Sequence, residues 1–298
     1  MADRVLLYDA YSLIYRAFYA IRSLTGPTGA PVNAIYGITK MLAKMAADHN
    51  PSYHAAVFDL GPPRKRLALL PEYKAQRPPT PPDLDQQLPS IREVLQAMRV
   101  PLVEQEGEEA DDLIATLAVH AAGAGHDVLI ASNDKDFMQI VGPRIRLLRP
   151  NGKETTTVDP AAVRARFGVA PDQIVDFLSL LGDAVDNIPG ASGVGEKTAA
   201  QLLQAYRTLD TILAHVSDIA KPKLRDSLAM SAERLLANRQ LIRLETNLPL
   251  PMSIETLRVQ PPDPVALAIL YRRFGFKSLL ADLETLPEPG ERDLFAGK

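Results

Sequence analysis

DVLIASNDKD, residues 127–136, carries an apolar run straight into a polar turn that holds Asp134 and Asp136. A short apolar run bounded by turn residues reads as a buried strand, and this one delivers acids to its carboxyl end. Two other runs do the same: VLLYD (Val5–Asp9) ends on Asp9, and YHAAVFD (Tyr53–Asp59) ends on Asp59. A lone Asp after a strand is ordinarily a turn residue or a helix N-cap. Three strands that share the habit point instead to one edge of a sheet. In open parallel sheets that edge, beyond the carboxyl ends of the strands, is where ligands bind.

Helical patterns separate these strands. YSLIYRAFYAI follows Asp9, VNAIYGITKMLAKMAADH covers 32–49, and an apolar helix is expected over Asp111–Ala122. PLVE and IRLLRP add two more strand-like runs. Alternating strands and helices predict an α/β fold with a mostly parallel sheet flanked by helices. From about Pro171 the pattern turns helical, through DQIVDFLSLLG, EKTAAQLLQAY and SAERLLANRQLIRL. The expected organisation is therefore a core over 1–170, with an insertion at about 60–83, and a helical region over 171–298. ETLPEPGERDLFAGK at the end reads as a tail or the start of a linker.

The chain has 298 residues, enough for a sizeable core, and its 46% hydrophobic and 23% charged content is that of an ordinary globular protein. It contains no Cys, which excludes disulfides and thiolate metal sites and suits a reducing cytoplasm. MADRVLLYDA reaches charged residues too early for a signal peptide or membrane span, so no membrane partner is expected. Net charge is −3, a weak argument against nucleic acid that reverses if the acids cluster around bound cations.

EEADD, residues 108–112, adds Glu109, Asp111 and Asp112 at the start of a helix. Capping accounts for one or two acids there, Glu108 among them, but not for so many. Asp183 and Asp186 in LGDAVDNIPG repeat the i,i+3 spacing at the end of a helix, where acids oppose the dipole. Nine carboxylates, Asp9, Asp59, Glu109, Asp111, Asp112, Asp134, Asp136, Asp183 and Asp186, cannot share a face without cations. Hard divalent ions with oxygen ligands, Mg²⁺ or Mn²⁺, meet that need, and the five His show no zinc spacing. Two such ions about 4 Å apart activate water and stabilise a leaving oxygen, which predicts phosphoester hydrolysis.

NIPGASGVGEKTAAQLL, residues 187–203, resembles a P-loop only superficially, because Glu196 stands where Lys is required and a helix precedes it. It reads better as a glycine turn between helices that offers backbone N–H groups to phosphate, with a plain helical hairpin as the simpler alternative. The insertion carries Arg64, Lys65, Arg66, Lys74 and Arg77 just beyond Asp59. It reads as a loop that overhangs the acids, with Tyr73 as a stacking face beside Lys74. Basic loop, acidic site and backbone hairpin together predict a nuclease.

LLYDAYSLIYRAF, YKAQRPPTPPDL, GEEADDLIATL, SNDKDF and GDAVDNIPGASGVGEKTA occur in this order, and over nearly the whole chain the sequence resembles the 5′ nuclease family. It resembles in particular the 5′→3′ exonuclease domain of bacterial DNA polymerase I and stand-alone 5′→3′ exonucleases. The resemblance implies a PIN-like core with a helix-three-turn-helix region, and Mg²⁺-dependent hydrolysis at a 5′ end or 5′ flap of DNA in replication and repair. It implies that the nine acids surround two or more metal ions. It implies catalytic roles for Arg16, Arg66 and Lys74, and DNA contacts from Arg64, Lys65, Tyr73, Arg77, Gly190, Gly193, Gly195, Lys197 and Thr198. It also implies a K⁺ ion at the hairpin, a monomer, and no nucleotide cofactor. Ala10, Lys65, Asn133 and Ala184-Val185 depart from the family pattern without removing a carboxylate. A PIN-type ribonuclease for single-stranded RNA would use the same acids, but needs neither the basic insertion nor the hairpin. A non-catalytic module for branched DNA would not need the full acid set.

Overall fold

In a computed structural model of the chain, residues 3–151, 154–250 and 252–284 are described. The Pro-rich segment expected to be a tail or linker lies outside them from residue 285 onward. The elements, in order, are β1 (Arg4–Asp9), α1 (Ala10–Ala20), α2 (Asn33–His49), β2 (Tyr53–Val57), α3 (Arg64–Leu69), α4 (Pro82–Asp85) and α5 (Leu88–Ala97). They continue with β3 (Leu102–Val103), α6 (Ala110–Gly123), β4 (Asp127–Ala131), β5 (Ile145–Asn151), β6 (Glu154–Val158), α7 (Pro160–Phe167) and α8 (Ile174–Leu181). A small hairpin of β7 (Gly182–Asp183) and β8 (Ile188–Pro189) leads to α9 (Glu196–Tyr206), α10 (Leu209–Ala214), α11 (Pro222–Ile242), α12 (Pro264–Phe274) and α13 (Lys277–Glu284). Two compact units share these elements. The first comprises the chain up to Leu13, Pro51–Pro79 and Leu102–Arg258; the second comprises Ile14–Asn50, Thr80–Pro101 and the chain from Val259.

The first unit holds a sheet of order β3-β2-β1-β4-β5-β6. All its pairings are parallel except the antiparallel edge pair β5–β6. The fold is thus the α/β architecture expected, a mostly parallel sheet flanked by helices. Val5, Leu6, Leu7 and Tyr8 are all buried, so β1 loses both faces to the core, as its unbroken apolar run requires. The chain runs outward from β1 on one side through β2 and β3 and on the other through β4 and β5. The strand order therefore reverses at β1, the kind of switch point where a crevice opens beyond the strand ends. Helix α6 packs on β1, β2, β4 and β5. Its Leu113, Ile114 and Leu117 are fully buried, which fixes the helix start, and hence Glu109 and Asp111, against the carboxyl ends of the strands.

Further along, α8 packs on α9 and α11, and α9 on α10. The turn out of α8 depends on two glycines. Gly182 has φ +75°, and a Cβ there would lie 2.2 Å from the Gly190 nitrogen. A Cβ on Gly190 would lie 2.1 Å from the Leu181 carbonyl oxygen, so any side chain at either place would force the backbones apart.

The second unit is organised around a buried amide pair. Gln87 accepts from the backbone N–H groups of Ala34 and Ile35 at 2.9 and 3.3 Å and donates to the Asn33 side chain at 3.0 Å. Asn33 in turn donates to the carbonyls of Phe18 and Ile21. The amides thereby satisfy the open start of α2, which has no side-chain cap of its own. Close approach of α1 and α2 is permitted by Gly37, where a Cβ would lie 2.8 Å from the Ala17 Cβ.

Candidate active site

Asp9 ends β1 and is buried. Its Oδ1 accepts from the Ser12 N–H at 3.2 Å and its Oδ2 from the Ser132 hydroxyl at 2.5 Å. Ser132 follows β4 on the neighbouring strand, and its hydroxyl also accepts from the Asp134 N–H at 3.0 Å. Asp134 Oδ1 then accepts from the Asp136 N–H at 2.8 Å, folding SNDKD into a tight turn that begins the 3-10 helix Asp136–Ile140. Asp59, exposed after β2, accepts from the Ala110 N–H at 2.8 Å. A carboxylate from a strand end thus satisfies a first-turn donor of α6, whose N-cap Glu109 makes no side-chain cap. That is where the capping anticipated from EEADD resides, rather than in Glu108.

These acids act on one another. Burial pushes Asp9 up to about 7, against the hydrogen bonds from Ser132 and Ser12 and with added repulsion from Asp134 and Asp59. Burial also raises Asp111 well above the usual carboxylate range, and Asp134, Asp9 and Asp59 raise it further while Lys74 opposes them. The three strand ends and the start of α6 therefore do converge, as the sequence predicted.

A second group forms beside the tight turn. Carboxylate oxygens of Asp136, Asp183 and Asp186 all lie within 4.8 Å of one another. The i,i+3 spacing of Asp183 and Asp186 is not helical, in contrast to the sequence reading. Helix α8 stops at Leu181, and the two acids sit on the β7–β8 hairpin, turned back by the Gly182–Gly190 contact. Asp183 Oδ1 caps the hairpin by accepting from the Val185 N–H at 2.8 Å. Burial raises Asp136 well above the usual range, with Asp134, Asp186 and Asp183 adding to it and Lys135 opposing.

Side chains of the basic insertion meet the acids directly. Arg66 is buried on α3: its guanidinium holds Asp112 through two nitrogens, Glu109 at 2.5 Å and the Leu241 carbonyl at 2.8 Å. Asp112, almost fully buried, spends its remaining capacity on the Glu245 N–H at 2.9 Å. Its side chain is thus directed at Arg66 and the segment after α11. Lys74 reaches Glu109 at 2.5 Å and Arg77 reaches Asp186 at 2.6 Å. Burial works against the charge of Lys74, but Glu109, Asp186 and Asp111 hold it above the ordinary ammonium value. Tyr73 is buried as well, its hydroxyl donating to Asp186 at 3.0 Å, so the open stacking face expected there is absent from this arrangement. Burial, Glu109 and Asp186 together raise the Tyr73 phenol. Arg64 and Lys65 are exposed and pair with Glu106 and Glu245. The insertion is therefore not an open loop: opposite charges draw it onto the acids.

Gly190 closes the turn that carries Asp183 and Asp186, and the rest of the glycine turn follows it along the chain. Gly193 (φ +76°), Gly195 and Lys197 are exposed, Gly190 and Thr198 partly so, and Gly195 caps α9 without a side chain. The Arg234 guanidinium donates to the Gly190 carbonyl at 3.1 Å. Arg16 lies half-buried on α1, in the second unit. Sequence reasoning missed Ser12 and Ser132, which orient Asp9, and Lys135, which sits 2.6 Å from Asp183. SNDKD contains both Ser132 and Lys135, but only the fold shows which carboxylate each faces.

The donors fit hard divalent cations. They are carboxylate oxygens throughout, and Asp136 Oδ1 is buried with no hydrogen-bond partner among the described residues. An oxygen left so costs free energy that a cation would recover.

Two family models match the chain: "5'-3' exonuclease, N-terminal resolvase-like domain" over residues 4–168 and "5'-3' exonuclease, C-terminal SAM fold" over residues 169–265. The chain is similar to DNA polymerase I of Bacillus caldotenax, 36% identical over 296 residues, covering 99% of this chain and 34% of that protein. It is also similar to thermostable DNA polymerase I of Thermus thermophilus, 38% identical over 286 residues, covering 96% of this chain and 34% of that protein. The chain spans about a third of the length of these curated relatives. Its fold is similar to the bacteriophage T5 flap endonuclease solved with DNA and metal ions, with a TM-score of 0.69 at 20% identity, covering 94% of this chain and 98% of that one. The catalytic core of Rad2 in complex with DNA substrate gives a TM-score of 0.65 at 16% identity, covering 95% and 93%. At such identities the likeness to solved structures concerns the fold alone.

Proposed function

We propose that this chain, which belongs to the 5′-3′ exonuclease family, hydrolyses DNA phosphodiester bonds at a 5′ end or at the base of a 5′ flap. The observation that carries the reading is the convergence of acids from three strand ends and the α6 start, next to a second acidic group with an unpaired buried oxygen. In this reading Asp9, Asp59, Glu109, Asp111 and Asp134 would hold one Mg²⁺ or Mn²⁺ ion, and Asp136, Asp183 and Asp186 another. Bound there, such ions supply Lewis acidity that lowers the pKa of water and offsets charge on the phosphodiester. Ser12 and Ser132 orient Asp9. Asp112 fixes Arg66, which in turn positions Glu109.

Lys74 and Arg77 stand on the acids and would meet an incoming phosphate as cations. Arg64 and Lys65, both exposed, would extend this strand-handling set. The exposed turn from Gly190 to Thr198 would grip duplex backbone through main-chain N–H groups, with a K⁺ ion among its carbonyls. The protein would act as a monomer in the cytoplasm, in replication and repair. Relatives that are DNA polymerases and neighbours solved with DNA support this reading.

The test is a comparison in Mg²⁺ of a 5′-flapped DNA duplex with a single RNA strand of equal length. Cleavage at or near the DNA junction is expected. Faster cleavage of the RNA would overturn the reading in favour of a ribonuclease.

A further inference from the structure

Both acidic groups carry cations, and in the strand-end group Arg66 and Lys74 both meet Glu109. Asp9, Asp59 and Asp134 are met by hydroxyl and backbone N–H donors. Asp183 and Asp186 are instead met by full positive charges. Lys135 lies 2.6 Å from Asp183 and Arg77 lies 2.6 Å from Asp186. Arg77 belongs to the basic insertion, but Lys135 belongs to the acidic turn itself, between Asp134 and Asp136. Its position is anchored by two constraints on that turn, the Asp136 N–H to Asp134 contact and the start of the 3-10 helix. The backbone that carries the ammonium is therefore held in place at the turn. Its side chain is 37% accessible, while that of Asp183 is 8%, so the carboxylate is the desolvated partner that depends on the pairing.

We propose that Lys135 is a built-in competitor for the metal at the hairpin acids: its ammonium occupies Asp183, and a divalent ion binds there only by displacing it. Lys135 thereby lowers the metal affinity of this group, and offsets the repulsion among its acids when no ion is bound. The inference rests on the reading of Asp136, Asp183 and Asp186 as metal-holding carboxylates. Lys135 is in this account a positioning residue, since it acts through Asp183.

Mn²⁺ binding measured by electron paramagnetic resonance on the full chain tests it without reference to activity. Wild type should show a tight and a weak class of ion. Lys135→Met should tighten the weak class about tenfold, the scale of one partly exposed charge-assisted hydrogen bond. Lys135→Arg should keep the wild-type value. In chelator, Lys135→Met should melt lower than wild type and gain more on adding Mn²⁺. Lys135→Gln serves the same comparison if the Met variant does not fold. Asp183→Asn separates the two claims. If it removes the weak class but Lys135→Met leaves that class unchanged or weaker, Lys135 is no competitor, while the metal site stands. If Asp183→Asn leaves the number of bound ions unchanged, the metal-site reading fails and the proposal with it.

Discussion

Asp9→Asn should make the metal-free protein more stable at pH 8, although it removes the central acid of the site. A carboxyl with a folded-state pKa of about 7, against 3.8 for the free side chain, is costly to ionise in place. At about 1.4 kcal/mol per tenfold change in proton affinity, the full penalty is about 4 kcal/mol. Because the raised pKa means that the folded state binds the proton more tightly, stability is greatest at low pH and falls as pH rises from about 4 to about 7. Asp111 and Asp136, also raised by burial, tilt the curve the same way. Asn carries no charge but keeps an oxygen for the Ser12 N–H, and the Ser132 hydroxyl can turn to accept from its amide. Allowing for some loss in those bonds, the gain at pH 8 is about 2–3 kcal/mol, or about 5–10 °C in melting temperature for a chain of this size. Scanning calorimetry in chelator between pH 5 and pH 8 checks this. The wild type should lose stability across that range and the variant much less, and added Mg²⁺ should stabilise the wild type most at pH 8. A wild-type curve that is flat or rises with pH, or an Asp9→Asn variant that is less stable at pH 8, would refute the reasoning.

Arg66→Ala leaves Glu109 and Asp112 as buried charges without their partner and should cost about 3–5 kcal/mol in urea unfolding. Added to Asp112→Asn, the same change should cost clearly less than it does alone, and simple additivity would argue against the pair. Gly190→Ala places a Cβ 2.1 Å from the Leu181 carbonyl and should destabilise by about 3 kcal/mol, because backbone must move. It should also weaken Mn²⁺ binding, since the hairpin that carries Asp183 and Asp186 shifts; unchanged melting and binding would contradict that geometry.

The parts of this molecule that could be read from its sequence are those governed by local pattern. VLLY, YHAAV and DVLIA are buried on both faces in a parallel sheet, so their apolar runs are unbroken and the acid after each marks a strand end. The register that brings Tyr8 opposite Ala131 places Ser132 beside Asp9, and no spacing along the chain encodes it. Asp183 and Asp186 had a helical spacing, but a Gly–Gly backbone contact, invisible to periodicity, turned them into a hairpin. The position of the basic insertion just beyond Asp59 placed it over the acids, but not which acid each cation meets, because the partners are remote: Arg66 meets Asp112 across 46 positions and Arg77 meets Asp186 across 109. Tyr73, taken as a stacking face, is buried for the same reason, held between Glu109 and Asp186. Charge attraction at long sequence range, rather than propensity, decided these contacts.

The central claim is that the converging acids do the chemistry on DNA, and Asp111 tests it most directly because it carries the repulsion of Asp134, Asp9 and Asp59 without a role in the helix cap. Single-turnover cleavage of a 5′-flapped duplex in Mg²⁺ should fall about a thousandfold in Asp111→Asn, with circular dichroism unchanged. Cleavage at the wild-type rate by the folded variant would contradict the account.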